Sequence, residues 1–240
     1  MAQPPRGQMP GFRRRFRVTP SQHWVLAELE DDYHCMGVTV YHDGVIALTV
    51  EPDIKRAPWT TCPGAEQECR KTFTGVALAE FPARKAKKSN CTHLYDLALL
   101  AAKYASEQEP LVYDLYVSDP IDGKRTAEVR RDAALVFRWV EFNGVFTEPA
   151  VLAGESVENI QAWIAVLETP QQETVRMLRW ASMIARGRSM PIEEQSDATR
   201  LPPACYTFQP VRAQQAERVG EIIDFSEGLK QPLEHCGLKS

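Results

Sequence analysis

The stretch from Trp24 to Lys55 constrains the fold most. WVLAELEDD (24–32), YHCMGVTVYHDG (33–44) and VIALTVEPDIK (45–55) follow one another with the β-branched content and alternation of strands. Asp43-Gly44 separates the last two, and glycine accepts the positive φ that a tight hairpin requires. Three consecutive strands joined this closely predict antiparallel pairing, because a parallel return needs a long crossover.

A stiff loop follows, from Arg56 to Gly64, carrying Pro58 and Pro63. Pro63 suits a first helical turn, where its missing N–H costs little, so a short helix is expected over 65–73. Residues 82–90 (PARKAKKSN) are basic and polar and read as an exposed loop. The clearest helix opens at Cys91-Thr92-His93, with Thr92 as the expected N-cap and Asp96 favoured by the helix dipole. Its apolar stripe is Leu94, Leu97, Ala98, Ala101, Ala102 and Ala105.

Strand patterns return over 111–120, 126–133, 134–144 and 145–149, with turns at Asp122-Gly123 and Asn143-Gly144. Two helices are expected next: 156–167 capped by Ser156, and 169–186 capped by Thr169 with Pro170 in the first turn. Residues 188–204 read as a long loop and 205–210 (CYTFQP) as a strand. Residues 1–12 are rich in proline and glycine and read as a disordered tail. Most of the 17 prolines fall at element boundaries, as stops and not as a linker. The expected architecture is one α+β domain over 13–240, with antiparallel sheet, packed helices and a helical C-terminal extension from about residue 151.

Composition excludes several classes. A hydrophobic share of 44% is too high for a wholly disordered chain. No apolar run is long enough to span a bilayer, so no membrane partner is expected. A net charge of -4 argues against a nucleic-acid partner, and the basic run Lys85–Lys88 reads as a solvated loop. Arg13-Arg14-Arg15 lacks the apolar segment of a secretory signal, so a cytoplasmic location is expected. The cysteines at 35, 62, 69, 91, 205 and 236 form no CxxC pair and are expected to be reduced thiols, mostly buried.

Motifs for nucleotide binding, serine hydrolysis and zinc proteases are absent. Chemistry therefore falls to three polar segments. In Asp31-Asp32-Tyr33-His34, an extended chain puts Asp32 and His34 on one face, where a carboxylate would orient an imidazole acting as general base. The plainer alternative is a polar turn with an exposed histidine. In Cys91-Thr92-His93, with Tyr95 close by, a helix N-terminus would lower a thiol pKa and make Cys91 a nucleophile with His93 as base; the alternative is a capping segment with a buried cysteine. In Arg56-Ala57-Pro58-Trp59-Thr60-Thr61-Cys62-Pro63, arginine would bind an anion and Trp59 wall a pocket; the alternative is a rigid connector. Zinc held by His34, His93 and Cys62 or Cys91 lacks paired ligand spacing, so no metal and no cofactor is expected.

Together these segments resemble the bacterial domain of unknown function 2889 family. Its members carry a His-x-Met strand, a Pro-x-x-Cys-Pro loop and a Cys-Thr-His-Leu helix start. Here these are His34-Cys35-Met36, Pro58 to Pro63 and Cys91-Thr92-His93-Leu94, and the likeness covers roughly residues 13 to 150. The chain departs from many members in having Cys35 where they have aspartate. The resemblance implies a cofactor-independent γ-formaldehyde lyase acting on a lignin-derived phenylcoumaran, a small aromatic dimer. In that reaction His34 or His93 would be the base and Asp32 would orient it. Arg56 with Tyr33 or Tyr95 would stabilise the phenolate, and Trp59, Cys62 and Cys91 would join Tyr95 in lining the substrate site. The alternative is a non-catalytic module binding a small ligand or a protein. A homodimer is the expected assembly on general grounds.

Overall fold

The computed structural model describes residues 10–226 and 230–234. The chain forms an antiparallel sheet of eight strands, in the order β4-β3-β2-β1-β5-β6-β7-β8, with helices packed on it, which is an α+β fold. The strands are β1 (Gly11–Pro20), β2 (Trp24–Asp31), β3 (Cys35–His42), β4 (Ala47–Arg56), β5 (Leu111–Ser118), β6 (Lys124–Arg131), β7 (Ala134–Phe142) and β8 (Val145–Glu148). The helices are α1 (Ala65–Phe73), α2 (Thr92–Lys103), α3 (Gln161–Ala165), α4 (Thr169–Ala185) and α5 (Pro210–Ala213).

β1 is the element the sequence pattern concealed. Its buried positions alternate as a strand demands, but one of them is Arg14, inside an arginine triplet that reads as polar throughout. The strand begins at Gly11, and Phe12 is fully buried, so these residues are not part of a disordered tail. Residues 1–9 lie outside the described residues. Gly11 is required where it stands: a Cβ there would lie 2.5 Å from the Val117 carbonyl oxygen.

By internal contacts the domain expected over 13–240 resolves into two compact units. The larger comprises Phe16–Leu111, Ile192–Ile223 and Leu233–Ser240. Its centre is the β2–β3–β4 meander, with Val25 opposite Val40 and Leu29 opposite Met36. The Asp43-Gly44 turn forms as the sequence predicts: Gly44 has φ +98, and Asp43 Oδ1 accepts from the Val45 and Ile46 amides. α2 packs on β2 and β3, and α1 on β4. The residue capping α2 is Cys91, one before the expected Thr92, and its side chain makes no capping bond.

Residues 205–209 are bends and turns and Pro210 opens α5, so the expected strand does not form. Instead the 192–223 segment docks on the 57–60 loop by main-chain bonds, with the Thr60 amide donating to the Glu217 carbonyl and the Val219 amide to that of Pro58. Gly220 permits this approach, because a Cβ there would lie 2.7 Å from the Ala57 carbonyl oxygen.

The smaller unit comprises Met1–Arg15, Val112–Pro191 and Asp224–Pro232. It holds strands β5 to β8, with α4 packed against β6 and β7 and burying Val175, Leu178 and Ala181. Glu168 caps α4, and Thr169 is its first helical residue. The helix expected over 156–167 is reduced to Gln161–Ala165, because Ser156 is drawn into a bridge with Val145. Among the described residues no helix is long and apolar enough to cross a membrane.

Candidate functional site

The site forms where β2 ends and β3 begins. An extended chain through Asp31–His34 would have paired Asp32 with His34. The chain turns there instead, and the turn brings residue i to residue i+3. Asp31 Oδ1 accepts from the Tyr33 amide at 2.8 Å and the His34 amide at 2.9 Å. The same oxygen lies 2.9 Å from His34 Nδ1, and the Asp31 amide donates to the His34 carbonyl. The carboxylate that orients His34 is therefore Asp31, not Asp32. Both aspartates are fully buried.

Arg56, at the end of β4, locks this turn from below. Its guanidinium donates to the Asp32 carbonyl at 2.7 Å, the Asp31 carbonyl at 2.8 Å and Glu30 Oε1 at 3.0 Å. The planar fork of arginine suits such a set of fixed acceptors. These bonds tie Arg56 to the turn beside His34.

His93 comes from the first turn of α2. Its ring centroid lies 4.1 Å from that of His34, at an interplanar angle of 36°. Asp31, His34 and His93 are all buried, and each offers a ligand atom within 4.8 Å of the others. A divalent cation could be held at that spacing by two imidazoles and a carboxylate, a donor set that suits zinc or iron. Tyr33 flanks the centre, edge-on to His34.

The remaining candidates are arranged differently. Tyr95 lies two residues after His93, and residues so spaced on a helix do not share a face. It packs against Phe73, and burial pushes its phenol up. Trp59 is buried in a cluster with Cys62, Ala198 and Ala213. Arg218 lies over the Trp59 ring at 5.4 Å and over the Tyr33 ring at 5.7 Å. Sequence reasoning missed Arg218, and no local motif marks it, since it reaches both rings from a distant segment.

Burial works against the cysteines as nucleophiles. Burial pushes the Cys91 thiol far up, with Cys62 adding to the effect, and this outweighs the helix N-terminus. Burial likewise raises Cys62, whose Sγ lies 3.4 Å from Thr207 Oγ1. Cys62, Cys69, Cys91 and Cys205 are free thiols, but Cys35 is disulfide-bonded, contrary to the expectation of reduced cysteines. Comparison with models of known protein families and with curated proteins finds no match.

Proposed function

We propose that the chain is a lyase that releases formaldehyde from a phenylcoumaran-type aromatic dimer, with His34 as general base. The carrying observation is the bond between Asp31 and His34 Nδ1. Asp31 also accepts two amides, which fixes its carboxyl group beside the ring. Nδ1 then donates to it, leaving the Nε2 lone pair to take a proton.

His34 Nε2 takes the proton of the primary alcohol. The electron pair left on the alkoxide oxygen forms the C=O bond of formaldehyde as the C–C bond from the hydroxymethyl carbon to the ring carbon breaks. The pair from that C–C bond forms the stilbene double bond and expels the ether oxygen as a phenolate. His93 or Tyr33 donates a hydrogen bond to that oxygen, and the proton held by His34 returns to it. No oxidant or reductant is required. The substrate class rests on the resemblance of the three segments. The purified chain incubated with a phenylcoumaran should yield formaldehyde and a stilbene in equal amounts, and His34→Ala should abolish both. No release, from metal-free and metal-loaded protein alike, would leave the non-catalytic binding module as the better reading.

The spacing of Asp31, His34 and His93 favours a second reading, in which a divalent cation acts there as Lewis acid. Loss of formaldehyde release on chelation, restored by zinc or iron, separates it from the metal-free base.

A further inference from the structure

The segment that docks on the 57–60 loop carries an arginine, Arg218, beside the His34 turn. Its backbone is held on both sides: the Thr60 amide donates to the Glu217 carbonyl, the Val219 amide to that of Pro58, and the Ile223 amide to that of Asp32. Arg218 itself stands opposite Trp59 in an antiparallel bridge. Its guanidinium carbon lies 5.4 Å from the centre of the Trp59 ring and 5.7 Å from that of Tyr33. Such contacts attract the cation to the ring faces but supply no conventional acceptor for its N–H groups.

The neighbouring arginine is arranged differently. Arg56 directs its fork at three acceptors in the turn. Among the described residues, Arg218 has its two ring contacts but neither an ion pair nor a side-chain hydrogen bond. It is half-buried, and none of its nitrogens is sealed from solvent. Burial pulls its pKa below the ordinary arginine value, with Tyr33 and Cys62 acting in the other direction. The cation is thus partly stripped of water without a protein anion in its place. Arg218 and His34 both pack near the Tyr33 ring, at 5.7 Å and 6.3 Å, which puts the arginine at the margin of the Asp31–His34–His93 centre.

We infer that Arg218 binds the carboxylate of a small organic acid with an apolar body. Arginine only donates, so its partner must accept, and its planar fork matches the two oxygens of a carboxylate. The surroundings select among anions. Trp59 packs edge-on to Phe208 at 5.9 Å and clusters with Cys62, Ala198 and Ala213, so the wall beside the cation is apolar. Inorganic phosphate is strongly hydrated and carries more than one charge near neutral pH, and a single arginine does not offset its desolvation there. A carboxylate matches the single charge, and its apolar body gains by leaving water. Binding at Arg218 does not require His34 to act as a base, so it stands apart from the lyase reading.

The test is calorimetric titration of the whole chain with benzoate and trans-cinnamate, each against its own neutral amide, and with inorganic phosphate. Saturable binding of at least one acid is expected, at least tenfold tighter than its amide and than phosphate. Arg218→Gln should weaken it at least tenfold. A measurement on the parent chain keeps the test decisive if that variant does not fold. Phenylglyoxal labelling of Arg218, read by peptide mass spectrometry, should slow at least threefold with saturating acid. Absence of saturable binding by either acid up to about 10 mM overturns the inference. So does an amide or phosphate binding as tightly as the acids, affinity unchanged in Arg218→Gln, or labelling that the bound acid does not slow.

Discussion

The Asp31–His34–His93 centre and the Arg125–Glu141 pair are both buried and charged, yet their charges are settled in opposite ways. Asp31 is satisfied within its own turn, by two amides and an imidazole no more than three residues away. Arg125 and Glu141 face each other from neighbouring strands and stop at 3.6 Å, with one atom of each unbonded. A turn can tighten until its donors reach their acceptor. Paired strands are held apart by the main-chain ladder, and the side chains they carry meet only where that spacing allows. The first arrangement fixes the orientation of an imidazole, while the second leaves one atom of each partner unbonded.

The largest effect should come from Asp31→Ala. It removes the common acceptor of three buried donors, and a loss of about 3–5 kcal/mol is expected in denaturant unfolding. Asp31→Asn keeps one acceptor oxygen and should recover part of it. A cost below about 1 kcal/mol for the alanine variant would mean that the turn is held by other contacts. Next is Arg56→Lys, which keeps the charge but loses the fork over the turn carbonyls. It should cost about 2 kcal/mol by the same measurement.

His34→Ala sharpens the contrast between orientation and stability. Unfolding should shift by only about 1–2 kcal/mol, while formaldehyde release should be abolished. Equal activity in the variant would remove His34 from the chemistry.

Glu141 should set a slope of stability with pH. Its folded-state pKa is raised, chiefly by burial. The folded chain therefore binds the proton more tightly than the unfolded chain. The associated stability is fully present below the ordinary carboxylate range and is lost as pH rises through the raised value. Glu141→Gln should flatten that part of the profile of Tm against pH. Parallel profiles for variant and parent would mean that Arg125 already settles the charge. The smallest effect concerns Cys91: its buried thiol should alkylate slowly at pH 8, and a rapid reaction in the folded chain would revive its reading as a nucleophile.

The sequence was most legible where pattern and turn chemistry coincide. β2 to β4, the four later strands, α1 and the body of α2 all carry a clear period bounded by Asp-Gly, Asn-Gly or proline. β1 was not legible, because a buried arginine interrupts its apolar alternation. Of the candidate site, both histidines were legible as residues, but that His34 and His93 meet was not, because they come from segments far apart in the chain. The orienting carboxylate was misassigned by one residue, because a period of two holds only while the chain stays extended.

By itself the sequence determined the antiparallel order of short strands, the stiff 56–64 loop and the presence of two histidines near strand and helix starts. These follow from local backbone preferences, which neighbouring residues decide. Only the tertiary structure decided that Asp31 orients His34, that Arg56 holds the turn, that Arg218 covers Trp59 and Tyr33, and that Arg125 and Glu141 remain incompletely bonded. Those outcomes depend on which segments meet across the fold and at what spacing, and local preference carries no information about either.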